Sequence, residues 1–149
     1  MSISSKKIEE IRSEIENNKK VYLENCRLNY SEYVDAAQIL FPNTYNKMDS
    51  IDKESQHLFD HVTKSLEHKK ENNIEDEINE LLKVVEQNNY TPYPYERLSI
   101  LYSKKKDLHS SYKVCKKWFD SEYWMIPNMS TSSLRILYRL EKLKTKLNL

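Results

Sequence analysis

The chain of 149 residues contains no glycine, and this absence limits its fold more than any other feature. Glycine is the usual residue at positive φ, so this chain lacks the preferred residue for two-residue β-hairpin turns. Helices need positive φ only at their ends, where asparagine can take the place of glycine. The Asn-Asn pairs at 17–18, 72–73 and 88–89 are therefore candidate helix ends. These features together favour an all-α fold.

The spacing of apolar residues indicates helices along most of the chain. From the polar breaks between apolar runs we predict helices over residues 4–28, from Ser31 to Leu40, over 50–69, from Asn73 to Val85, from Tyr95 to Tyr102, from Leu108 to Phe119 and from Ser130 onward. Pro42 is expected to help end the second helix. No segment alternates apolar and polar residues over the length of a strand, which argues against a strand-rich fold. We expect one domain over residues 1–149.

Targeting and membrane-spanning signals are missing from the sequence. The segment Met1–Glu16 is polar and charged, and no stretch approaches the roughly 20 apolar residues that a membrane span requires. The two cysteines, Cys26 and Cys115, are far apart and form no disulfide framework. We therefore expect a cytoplasmic protein that does not enter a membrane.

Residue patterns that support catalysis are also scarce. Without glycine the chain cannot carry a P-loop, a Rossmann phosphate loop or a G-x-S-x-G nucleophile elbow. His57 and His61 share a helical face with Glu54 and could bind zinc, but a solvated flank of the helix is the simpler interpretation. Cys115 lies on an apolar stripe, which favours packing over a nucleophilic role. We expect no enzymatic activity, no bound metal and no cofactor.

The segment from Tyr95 to Phe119 resembles one unit of the tetratricopeptide repeat (TPR) family, in which two antiparallel helices recur about every 34 residues. Tyr95 falls where the family has its first large aromatic residue, and Ser111 falls on the small residue of the second helix. Further core positions of the unit are matched by Leu98, Ser99, Tyr102, Cys115 and Trp118. The resemblance covers residues 74–149 at most, with one complete unit. It implies stacked antiparallel helical hairpins over 74–149, preceded by N-terminal helices over 1–69.

By this resemblance, the first helix of each unit would line a concave groove for a protein or peptide partner. In this chain that face would carry Tyr93, Glu96, Arg97, Ile100, Ser103 and Lys104. The predicted function is a non-catalytic protein-interaction module, acting as a small adaptor or inhibitor. The composition, rich in lysine, asparagine, isoleucine and tyrosine, leaves an alternative: an accessory protein of a mobile element that inhibits a host protein.

The charge of the chain is polarised along its length. Residues 1–92 contain 12 Lys and Arg against 18 Asp and Glu, a net charge of −6, whereas residues 93–149 contain 12 against 5, a net charge of +7. A basic patch is expected in the C-terminal half from Lys105, Lys106, Lys113, Lys116, Lys117, Arg135 and Arg139. Such a patch would suit an acidic protein partner. Nucleic acid is the alternative partner, because lysine beside tyrosine and tryptophan suits phosphate contact and base stacking.

The last predicted helix carries apolar residues on two faces. Leu134, Leu137 and Tyr138 fall on one side and are expected to pack against the preceding two helices. The nearly opposite side carries Ile136, Leu140, Leu143 and Leu147. If this second stripe is exposed, it predicts self-association as a homodimer. The alternative is that the N-terminal helix folds back and covers it.

Overall fold

A computed structural model describes residues 2–20, 38, 41–54 and 57–149 of the chain. This part of the chain contains seven α-helices: α1 (Ser5–Lys19), α2 (Pro42–Glu54), α3 (His57–Lys70), α4 (Ile74–Glu86), α5 (Pro92–Lys104), α6 (Leu108–Asp120) and α7 (Ser130–Lys146). Two 3₁₀ turns, Tyr123–Met125 and Pro127–Met129, join α6 to α7. No strand occurs among the described residues, so the predicted all-α class is confirmed. None of the helices found there combines the length and the apolar character that crossing a membrane requires.

The predicted helix boundaries hold for α4, for α6 and for the start of α7, whereas α5 begins three residues before the predicted Tyr95. Two helices, α2 up to Glu54 and α3 from His57, occupy the described residues of the single helix predicted over 50–69, and α2 begins earlier than predicted, at Pro42. Proline suits this place because the first turn of a helix has no use for the N–H that proline lacks. Of the helix predicted from Ser31 to Leu40 only Gln38 is described, and it is helical. The later part of the helix predicted over 4–28 falls outside the described residues.

The turns that close the α3–α4 and α5–α6 hairpins have the same geometry. Asn72 has φ 57° and Lys106 has φ 62°, at positions that differ by 34 residues (106 − 72). The following residue in each turn donates a 2.9 Å backbone hydrogen bond back into the helix, Asn73 to the carbonyl of His68 and Asp107 to that of Tyr102. This is the left-handed closure that commonly ends helices. Both hairpins therefore close at the same register.

Asparagine supplies part of the positive φ that glycine would supply elsewhere. Asn72 and Asn88, with φ 57° and 54°, confirm two of the three predicted helix ends. The pair at 17–18 does not end a helix, since α1 continues through it to Lys19.

Lys106 is an unfavourable residue for its backbone conformation, and this yields a testable prediction. A residue with a Cβ atom loses about 1–2 kcal/mol in the left-handed region, whereas glycine avoids that clash but loses more chain entropy on folding. We expect Lys106→Gly to raise the free energy of unfolding by about 0.5–1 kcal/mol, measured by urea titration. The matched variant Lys104→Gly, in the last turn of α5, should lower it by a similar amount. A Lys106→Gly variant no more stable than the wild type would contradict this account.

Three buried serines recur at the same register as the turns. Ser65, Ser99 and Ser133 lie on α3, α5 and α7, each is 0% exposed, and each is 34 residues from the next (99 − 65 and 133 − 99). Their small side chains permit close helix contacts: Ser99 Oγ lies 2.8 Å from Ser111 Oγ on α6, and Trp118 Nε1 donates to Ser133 Oγ at 2.9 Å. The helices α3, α5 and α7 therefore each bury a serine at the same register.

The N-terminal helix covers the second apolar face of α7. Ile8, Ile11 and Ile15 of α1 are each 1% exposed, and α1 packs directly on α7. Polar contacts hold the edge of this interface, where Arg12 Nη2 donates to Glu141 Oε2 at 2.7 Å. The stripe predicted for self-association is correspondingly buried at Ile136, Leu140 and Leu143, and Leu147 is half-buried against the same core.

The prediction that this stripe is an open homodimer surface is therefore wrong for the buried residues, and the alternative of a folded-back N-terminal helix is the one observed. The physical reason is that α1 has an isoleucine stripe of its own, which gains burial by docking on the leucines of α7.

Candidate functional site

Exposed apolar side chains gather on the helices that carry the buried serines. Among the described residues, large hydrophobic side chains are exposed at Phe59 (76%), Leu66 (41%), Tyr93 (36%), Tyr138 (56%) and Leu149 (47%). All of these except Leu149 lie on α3, α5 or α7. Single exposed hydrophobic residues are ordinary, but a group of them on related helices is typical of an interaction surface.

The same 34-residue interval relates apolar residues on α3, α5 and α7. Phe59 and Tyr93 differ by 34 positions, so they occupy the same place in α3 and α5. Leu66, Ile100 and Leu134 repeat at the same interval on α3, α5 and α7, exposed in the first case and half-buried in the other two. In the structure these residues line two grooves: Phe59, Leu66 and Tyr93 line one, and Ile100 and Leu134 line the other.

A groove of about 550 Å³ lies between α5 and α7, and we call it the α5–α7 groove. Its apolar residues include Ile100 and Leu134, and the exposed ring of Tyr138 stands at its surface. Glu96 and Ser103 complete the α5 side. The groove thus combines an apolar strip with polar walls, as ligand sites in proteins commonly do.

One wall of the α5–α7 groove is a stripe of cations on α7. Arg135, Arg139, Lys142 and Lys146 all line the groove, and their spacing of four, three and four residues puts them on one helical face. Arg135 Nε lies 3.1 Å from both carboxylate oxygens of Glu96. Lys142 Nζ lies 5.2 Å from the centroid of the Tyr138 ring, within range of a cation–π interaction. We call these four residues the α7 cation stripe.

The one remaining cation of α7, Lys144, does not join the stripe. Lys144 Nζ donates to Ser5 Oγ of α1 at 2.9 Å, so that side chain is used at the α1–α7 interface. Within the described part of the chain, Arg139, Lys142 and Lys146 form no ion pair with a carboxylate. Three of the four stripe cations therefore remain available to a ligand.

A second, more apolar groove of about 720 Å³ lies beside α3. Its lining includes Phe59 and Leu66 of α3, together with Tyr90 and Tyr93. The hydroxyl of Tyr90 donates to Asp52 Oδ1 of α2 at 2.6 Å. Burial, assisted by the neighbouring Asp52 carboxylate, raises the pKa of Tyr90 to about 12. This groove, which we call the α3 groove, has little charge with which to select a ligand.

The structure brings together only part of the predicted partner-binding set. Glu96, Ile100 and Ser103 line the α5–α7 groove, Tyr93 lines the α3 groove, and Lys104 is exposed but lines neither. Leu137 is buried as expected, whereas the prediction that Tyr138 packs inside is wrong because its ring is 56% exposed. The 34-residue spacing of the serines and of the apolar residues was the sequence signal from which α7 could have been predicted to line the groove.

Arg97, the sixth predicted partner-binding residue, has a structural role instead. Its Nε and Nη2 atoms donate to the two carboxylate oxygens of Glu77 at 2.6 and 3.1 Å. Glu77 lies on α4 and is only 1% exposed, and its hydrogen bond raises the pKa of the Arg97 guanidinium. This two-pronged pair joins α4 to α5 and keeps Arg97 from acting as a free ligand-binding cation.

The predicted basic patch is dispersed over separate parts of the structure. Only Arg135 and Arg139 of its seven residues line the α5–α7 groove. Lys105 pairs with Glu75, and Lys116 Nζ lies 3.0 Å from Asp120 Oδ2. The other three occupy the α5–α6 turn or α6, away from this groove: Lys106, Lys113 and Lys117. Lys113 and Lys116 line one further groove and Lys117 another, so the predicted patch does not gather at a single groove.

The residues considered for metal binding and nucleophilic chemistry have other contacts. His61 Nδ1 lies 2.6 Å from Glu80 Oε2, while the side chains of His57 and Glu54 lie outside the described set. Among the side chains that are described, no group of three His, Cys, Asp or Glu could hold a metal ion. Cys115 donates to Ser99 Oγ at 3.1 Å, and burial raises the pKa of its thiol to about 11. A thiol of this kind packs as a small apolar group.

Comparisons with known proteins found no match to this chain, whether against protein-family models, curated proteins or solved structures. The TPR resemblance therefore rests on the residues that carry it and on the 34-residue register of turns and serines.

Proposed function

We propose that this protein is a non-catalytic protein-interaction module that binds a polypeptide partner in the α5–α7 groove. The observation that carries the proposal is the repeated placement of exposed apolar side chains on α3, α5 and α7. Each of those helices buries a serine on its inner face at the same register. Each also carries an exposed large hydrophobic side chain. A surface of this kind loses unfavourable contact with water when a partner covers it.

The TPR-like interpretation supports the same surface. In that family the first helix of each unit lines the ligand face, and α3, α5 and α7 would be those first helices here. The hairpins α3–α4 and α5–α6 would be two units, and α7 would open a third, whose second helix is replaced by α1. Stacked units of this type bury a shared core and leave an extended binding face.

An adaptor and an inhibitor would both use such a groove. We place either role in the cytoplasm, where a buried thiol such as Cys115 stays reduced. A nucleic-acid role receives less support, because the basic residues are dispersed and Glu96 lies within the groove.

Photo-crosslinking in the native host tests the proposal. A benzoylphenylalanine residue at position 138, in the groove, should capture a partner as one discrete adduct, while the same residue at position 113, on the exposed side of α6, should not. For the captured partner we expect Tyr138→Ala to weaken binding about tenfold, as a central aromatic contact does, without changing the melting temperature.

The outcome that contradicts the proposal is equally concrete. If positions 113 and 138 give the same adducts, or position 138 gives none, the α5–α7 groove is not the binding surface. Lys113→Ala is the matched control, and it should leave affinity for the captured partner unchanged.

A further inference from the structure

We infer that the α5–α7 groove selects an acidic polypeptide segment, with carboxylates directed at the α7 cation stripe and apolar side chains at Ile100 and Leu134. This inference rests on the proposed function and adds the chemistry of the partner. The groove supplies four cations against the single carboxylate of Glu96. A partner that brings carboxylates therefore completes the charge balance of the groove, and a basic partner would increase the imbalance.

The spacing of the stripe suits a short segment. From Arg135 to Lys146 is 11 residues (146 − 135), which spans roughly 16 Å along a helix that rises about 1.5 Å per residue. An extended chain covers that length in about five residues. Cations four residues apart are separated by roughly 6 Å along the axis, close to the roughly 6.6 Å between alternate residues of an extended chain. Carboxylates at alternate positions would therefore meet successive cations of α7.

The apolar part of the groove distinguishes a peptide from a phosphate chain. Alternate side chains of an extended segment point in opposite directions, so residues between the carboxylates would face α5, where Ile100 lies. Arginine and lysine also bind phosphates, but the Glu96 carboxylate and the apolar strip make this groove less suited to a nucleic acid. The segment should alternate acidic and apolar residues.

Substitution of Glu96 is expected to strengthen binding of the partner, whereas most substitutions in a binding site weaken it. Its carboxylate is paired with Arg135, whose side chain is 56% exposed, so an incoming carboxylate must share or replace that contact. Glu96→Gln removes the competing charge and should strengthen binding of an acidic segment about two- to fivefold, the range expected of a surface charge contact. A residue with only a structural role would not improve binding when substituted.

Selection from a displayed library of random twelve-residue peptides tests the inference on the full chain. We expect the selected peptides to be enriched in Asp and Glu interleaved with apolar residues. Synthetic versions, measured by fluorescence anisotropy, should bind at least tenfold more weakly to Lys142→Glu/Lys146→Glu and more weakly as salt is raised. The control Lys106→Glu/Lys113→Glu makes the same charge change at exposed sites outside the groove and should bind as the wild type does.

Each other result has a defined meaning. If circular dichroism shows that Lys142→Glu/Lys146→Glu does not fold, Lys142→Gln/Lys146→Gln replaces it. This variant should also bind the peptides more weakly than the wild type does. Peptides that lose binding in Tyr138→Ala but lack acidic residues, or that ignore the lysine variants, overturn the acidic preference and leave the proposed function intact. If binding of no selected peptide depends on Tyr138, both the acidic preference and the proposed function are contradicted. A labelled single-stranded RNA 20-mer that binds more tightly than the peptides, and depends on Lys142 and Lys146, overturns the inference in favour of nucleic acid.

Discussion

The Arg97→Met variant should lose about 3–5 kcal/mol of unfolding free energy, which would be a large part of the stability of a chain this size. The reason is that the substitution leaves the Glu77 carboxylate, 1% exposed, without the two hydrogen bonds that compensate its burial. An uncompensated buried charge costs far more than the pair itself contributes. Urea unfolding followed by circular dichroism measures the loss.

The double variant Glu77→Leu/Arg97→Met is the matched control. It removes both charges and keeps similar apolar volume, so we expect it to recover most of the stability that the single variant loses. If Arg97 were instead a ligand-binding residue, Arg97→Met would keep the wild-type stability and lose only partner affinity. That pattern would refute the structural role assigned here to the Glu77–Arg97 pair.

The different fates of Arg97 and Tyr138 show where prediction from sequence ends. Helical spacing shows which face of its helix each side chain occupies, but it carries no information about which other helix approaches that face. Glu77 is 20 residues from Arg97 along the chain, and only the packing of α4 on α5 brings the two groups together. Tyr138 is left exposed because α5 and α7 leave a groove at its position.

Local signals were sufficient for the C-terminal hairpins. Asn73 and Asp107 precede α4 and α6 as their N-caps, and apolar residues recur on one face of each helix. The start of α2 at Pro42 was missed because the apolar spacing that predicted a helix in this region begins only at Ile51. Periodicity alone does not locate a helix end that lies beyond the apolar stripe.

The 34-residue spacing of turns and buried serines extends over a longer range than the resemblance covered. Ser65 stands 34 residues before Ser99, so α3 takes part in the register although the resemblance began at residue 74. A serine spacing is a weak signal in sequence, since exposed serines are common. Its meaning appears only when all three positions prove to be fully buried, two of them in hydrogen bonds between helices.

Replacing Ile11 and Ile15 by glutamate should detach α1 from α7 and make the protein self-associate. Both isoleucines are 1% exposed, and burial of each is worth about 1.5–3 kcal/mol that the variant would lose. Two buried unpaired carboxylates would add a further cost, so α1 could not remain docked. The uncovered Ile136, Leu140 and Leu143 would then form an apolar stripe on α7, and such a stripe drives association in water.

Sedimentation velocity and hydrogen exchange measure the two parts of this prediction. The wild type should sediment as a monomer with protected amides in α1, and the variant as a dimer or larger species in which those amides exchange freely. The control Glu10→Lys/Glu14→Lys changes the exposed face of the same helix and should leave both readings unchanged. A variant that unfolds entirely would still identify the α1–α7 contact as core. A folded, monomeric variant with α1 still protected would mean that something other than these isoleucines holds the helix on α7.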